Sequence, residues 1–136
     1  MYGIKTNRLT VADVAKFTVE SDRIEGIKTV HNAAWYDMTL SMLQMEHLNL
    51  ADLQTWVTRT EPLALLRDAI GRDVQVNDFK APAGGPAVGG ALKELLVIMG
   101  HNTRPDMTPF LCHNVFERLH PFTDCNGRAG RILMFW

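Results

Sequence analysis

The chain has 136 residues, 46% of them hydrophobic and 21% charged, which bounds it to one domain able to bury a core. A net charge of −1 gives no field for nucleic acid or a membrane surface, and two cysteines are too few for a disulfide scaffold and fit a reducing cytoplasm. No signal peptide, repeat, charge block or apolar run of transmembrane length is legible.

In chain order, residues 9 to 26 carry the first helical pattern. Thr10 caps it, Asp13 is the acid of its first turn, and Val14, Phe17, Ser21 and Ile24 trace one stripe that Gly26 ends. Ser21 and Glu25 lie one turn apart, which on its own reads as a solvated polar face. From about 29 to 46, Val30, Ala33, Ala34, Met38, Met42 and Met45 fall at helical spacing, with the methionines as core filler and Asn32 or Asn49 as a cap. A third helix runs from about Leu50 through Val57, with Asp52 in its first turn. His31 and His47 have no partner at ligand spacing and receive no role.

Past Ile70 the pattern changes. Gly71 to Lys80 alternates around an Asn-Asp turn and predicts a small β-hairpin. Ala81 to Gly90 is a loop whose glycine pairs lack the Gly-Lys-Ser/Thr of a phosphate loop. It leads into a helix from about Val88 to Met99 that Gly100 ends. Thr108 and Pro109 open the next helix, with Leu111, Val115 and Leu119 at spacing four, and Pro121 stops it. Zinc binding by His101, Cys112, His113 and His120 has no spacing to support it.

The densest chemistry is His120-Pro121-Phe122-Thr123-Asp124-Cys125-Asn126-Gly127-Arg128-Ala129-Gly130-Arg131. A turn of small polar residues feeds a helix from Arg128 onward, so unpaired amides and the positive end of the helix dipole form an anion site. Arg128 and Arg131, three apart, add two forked cations on one face. Asp124 beside the same anion is unfavourable unless a cation bridges them, and magnesium, which commonly takes one carboxylate plus phosphates, fits. His120 can take a proton from an incoming nucleophile.

This segment resembles the signature of the Fic family, His-x-Phe-x-(Asp/Glu)-Gly-Asn-Gly-Arg-x-x-Arg, with Cys125 standing where the family has glycine. The resemblance implies an all-α, Fic-type helical bundle with a small β-hairpin flap, one domain over residues 1–136. It implies AMP transfer from ATP, as co-substrate with Mg2+, to a Ser, Thr or Tyr hydroxyl of a target protein. By the same resemblance His120 is the general base, Phe122 a buried anchor and Asp124 the magnesium ligand. Asn126 and Gly127 help form the anion hole around the α and β phosphates, Arg128 holds phosphate, and Arg131 binds the γ phosphate.

Beside that signature, Ser21-Asp22-Arg23-Ile24-Glu25-Gly26 matches the family's inhibitory motif, (Ser/Thr)-x-x-x-Glu-(Gly/Asn). The resemblance then implies that Glu25 pairs with Arg131, bidentate if geometry allows, that Ser21 steadies the contact, and that the chain is autoinhibited. The same glutamate could position water for removal of AMP. The hairpin corresponds to the flap, which registers a target strand. Cys125 supports an alternative: a weak or silent Fic-like module that binds a nucleotide or partner. If its φ is positive a side chain is strained there, and a thiol at a helix N-terminus has a lowered pKa as a rule. The family usually continues past this point, so Phe135 and Trp136 are expected to lie exposed and to need a partner surface or a homo-oligomer.

Overall fold

Most helices begin where the sequence offers an oxygen to unpaired amides. In a computed structural model describing residues 9–27, 31–101, 104 and 106–136, α1 (Val11–Ile24) opens on a reciprocal capping box. The Asp13 amide donates to Thr10 Oγ1 at 3.2 Å, and the Thr10 amide donates to Asp13 Oδ2 at 3.0 Å. Asn32 caps α2 (Ala33–Leu43) and Asn49 caps α3 (Leu50–Thr60), each accepting an amide at 2.8 Å. Helix α4 (Pro86–His101) follows the hairpin, Thr108 and Pro109 open α5 (Pro109–Leu119), and α6 is Asn126–Phe135.

The only strands among the described residues, β1 (Gln75–Val76) and β2 (Phe79–Lys80), pair antiparallel with Val76 opposite Phe79. Asn77, at φ 54°, makes the turn, a conformation asparagine tolerates better than most residues. The protein is therefore all-α with one small hairpin, as the sequence predicts. No helix among the described residues is long and apolar enough to cross a membrane.

Packing departs from the sequence reading at four places. On α1 the buried face is Val14, Thr18, Ser21 and Asp22, while Ile24 is exposed. Three of those four are polar, so the face that docks was hidden from a count of apolar residues. On α5 the core takes Cys112 and Phe116, and Leu111 and Val115 lie outside. The true face is one position round the helix, because a cysteine counts as a small hydrophobe. Gly100 lies inside α4, where a Cβ would meet the Trp136 ring at 3.0 Å. Its role is close approach.

Trp136 itself is 1% exposed, and its indole N–H donates to the Met45 carbonyl at 2.7 Å. Phe135 packs edge-on to Phe17, with ring centroids 4.1 Å apart. The expectation of two bare aromatics in need of a cover fails, and with it the argument for self-association. Val30, expected in the second helix, lies outside the described residues.

One feature of the core positions the site. Residues 65–67 run antiparallel to 121–123, with a bridge between Leu66 and Phe122. The Arg67 amide donates to the Pro121 carbonyl and the Thr123 amide to the Leu65 carbonyl, each at 2.8 Å. The loop between α5 and α6 is thereby fixed to the chain just before the hairpin.

Candidate active site

Helix α5 ends on His120, which adopts the left-handed conformation at φ 49°. A non-glycine residue there costs about 1–2 kcal/mol, so its surroundings must hold it. They do so at both ends of the residue. Its amide donates to the Phe116 carbonyl at 2.9 Å, and its ring Nδ1 lies 3.2 Å from the Glu117 carbonyl. A carbonyl only accepts, so in the neutral ring this contact puts the proton on Nδ1 and the lone pair on Nε2.

The loop then folds on Asn126. Its side-chain oxygen accepts the Phe122 amide at 2.9 Å and its side-chain nitrogen donates to the Phe122 carbonyl at 2.7 Å. Phe122 is 1% exposed and anchors the loop in the core. The Asn126 amide group is thus occupied in shaping the loop, and what Asn126 can offer an anion is backbone. Asp124 sits exposed at the rim, where its Oδ1 accepts the Cys125 amide at 2.7 Å.

Cys125 is the N-cap of α6 and has φ 70°. The positive φ explains the family's glycine, and the side chain found here instead joins the hydrophobic core. Burial pushes its thiol up to about 12, only partly opposed by Arg128. The expected lowering at a helix N-terminus is outweighed, because desolvation of a thiolate exceeds the pull of the helix end.

Gly127, Arg128 and Arg131 line one side of an open cleft of about 480 Å3 together with His120, Asp124 and Glu25. The volume lies in the range of small-molecule sites. Arg128, 7% exposed, turns one nitrogen to Glu61 at 3.2 Å. Arg131 faces α1. Its Nη2 donates to Glu25 Oε1 at 2.8 Å and to the Ser21 carbonyl at 3.3 Å, and its Nε donates to Ser21 Oγ at 2.9 Å. The guanidinium fork is therefore shared between Glu25 and Ser21 and is not bidentate on the glutamate.

Over Gly127 the crowding is closer still. A Cβ built on this glycine would run into Glu25 Oε1 and would lie 3.1 Å from Arg131 Nη1. The carboxylate occupies the space above the first turn of α6, where an anion would meet the helix amides. Gly26, just after Glu25, has φ 68°. This is the geometry that the Gly or Asn of the motif can take cheaply.

Three residues of the site escaped the sequence reading. Glu61 pairs with Arg128 from the end of α3, and no local spacing announces it. Glu117 lies one turn before His120 with its Oε1 buried and without a hydrogen-bond partner; burial raises its pKa, and His113, His120 and Arg131 oppose the rise. Arg67 is wholly buried beneath the loop. A lone arginine in the apolar run Leu63 to Ile70 was the signal that could have found it.

Among the described residues no three His, Cys, Asp or Glu side chains converge to hold a metal ion by themselves. What the cleft offers is one rim carboxylate, Asp124, beside an anion site. That donor set fits a magnesium ion completing its shell with phosphate oxygens and water, and does not fit a structural zinc.

A family model described as Fic/DOC matches residues 57–136, which takes in the hairpin, α4 to α6 and the whole loop. Helix α1, with Ser21 and Glu25, precedes the matched region. No curated protein and no solved structure matches the chain.

Proposed function

Because the chain belongs to the Fic/DOC family, we propose that it is an autoinhibited protein adenylyltransferase, moving AMP from ATP to a Ser, Thr or Tyr hydroxyl of a target protein. The observation that carries the autoinhibited reading is the Glu25 carboxylate bound to Arg131 above Gly127.

In this reading His120 Nε2 takes the proton of the target hydroxyl, whose oxygen attacks the α phosphorus. The bond from that phosphorus to the bridging oxygen breaks, and pyrophosphate leaves. The Nδ1 bond to the Glu117 carbonyl keeps the basic nitrogen toward the cleft. Backbone amides of Gly127 and Arg128 and the positive helix end take the phosphates, and Arg131 takes the outermost one. Asp124 would hold magnesium, which neutralises phosphate charge when bound. Glu25 blocks productive binding because it occupies the cation and the space that the terminal phosphate needs.

The test is labelling with ATP carrying the label at the α phosphate. Glu25→Gly is expected to transfer label to itself or to lysate proteins, and Glu25→Gly with His120→Ala to lose about 10²–10⁴-fold in rate. Label that enters from the γ position instead would overturn AMP transfer in favour of phosphoryl transfer.

Cys125 supports a second reading, a nucleotide-binding module with little chemistry, since a residue with a side chain is held there at a strained, positive φ at the start of the anion site. Its 3% exposure argues that the sulfur does not stand in the path of phosphate. Transfer by Cys125→Gly with none by Glu25→Gly alone would favour this reading.

A further inference from the structure

Arg67 is 0% exposed, and among the described residues no carboxylate is bonded to it. Its guanidinium is enclosed by four backbone carbonyls. Nε donates to His120 at 2.6 Å and Nη2 to Leu119 at 2.8 Å. Nη1 donates to Pro82 at 2.7 Å and to Arg72 at 3.1 Å. Leu119 and His120 are the end of α5, where the helix dipole is negative and a cation is favoured. Arg72 and Pro82 bracket the hairpin of β1 and β2.

One buried cation therefore holds both ends of the hairpin segment and the backbone of the proposed base. The rings reflect this: Phe79 of β2 lies 6.2 Å from His120, centroid to centroid. The backbone of residue 67 adds to the tie. Its amide bonds Pro121 and its carbonyl accepts the Gly85 amide at 2.9 Å. Asp73, within the bracketed segment, favours the charged guanidinium against the effect of burial.

We infer that Arg67 is a positioning residue: it sets the hairpin and His120 at a fixed separation, so that a target strand docked on the hairpin presents its hydroxyl to Nε2. The inference rests on the function proposed above. Lysine keeps the charge but has a single nitrogen in place of a planar fork, and it cannot reach both pairs of carbonyls.

The experiment places Arg67→Lys in the Glu25→Gly protein. Expected is a fall in kcat of about tenfold or more, with KM for ATP and the number of ATP sites per chain within about twofold. A purely structural role would instead reduce the number of ATP sites along with the rate. A second measurement needs no activity. In NMR spectra of Arg67→Lys and Arg67→Met, the His120 ring signals and the amides of residues 74–81 should shift together, while those of α2 and α3 stay in place. Unchanged kcat, or a His120 ring that does not respond while the hairpin does, overturns the inference. If the Glu25→Gly protein transfers nothing, the function proposed above fails and the NMR result alone decides this one.

Discussion

At Cys125 a strained backbone and a buried side chain meet in one residue. With its thiol pushed up to about 12 by burial, it is almost wholly protonated at neutral pH. Cys112 is also buried, at 0% exposed. Neither cysteine is expected to react with iodoacetamide at pH 8 in the native protein, and both should react in urea, as mass spectrometry would read. Rapid native labelling of Cys125 would contradict the packing described.

Glu117 gives a prediction in pH. Its folded-state pKa is raised above 4.5, mainly by burial, so over that window the native state holds a proton that the unfolded chain has released. Stability then falls as pH rises from about 4.5 through the folded value. Glu117→Gln is expected to flatten this slope and to raise Tm at pH 7, measured by calorimetry across pH. Parallel curves for the two proteins would contradict the assignment.

At the scale of elements, α1 is fastened in part by polar groups. It meets α2 and α6 through a partly polar face. Asp22, buried in that face, bonds His31 at 3.1 Å. A small conformational penalty beside Glu25 should therefore loosen the contact with Arg131. Among the described residues nothing lies within 4 Å of a Cβ at Gly26, so Gly26→Ala is expected to introduce the strain of its positive φ, about 1 kcal/mol. It is expected to raise basal labelling several-fold, with Gly26→Asn closer to the parent. Equal labelling by all three would sever α1 from regulation.

The elements themselves were legible because caps are local: Thr10, Asn32, Asn49 and Thr108 each bond an amide three residues on. The loop of the candidate site was legible for the same reason, since its residues are consecutive. The phase of α5, the place of Gly100 and the use of Arg67 were not. Each is decided by a partner far along the chain, as Gly100 is by Trp136 and Arg67 by Leu119 and His120. Composition and spacing do not encode such partners.

For the whole molecule, Trp136 joins the last turn of the chain to the loop after α2 through the Met45 carbonyl. A fully buried tryptophan truncated to alanine costs about 3–5 kcal/mol. Trp136→Ala should lose that much in urea denaturation, a large share of the stability usual for a domain of this size. A loss of only a few tenths would mean that the ring carries little of the core.

The residues that meet above Gly127 also stand in a fixed order of manufacture. Glu25 precedes Arg131 by 106 positions, and synthesis runs from the amino end. On the proposed reading, the guard leaves the ribosome long before the guanidinium it covers. On that reading, the inhibitory helix is already present in each molecule when the last helix of the site is completed.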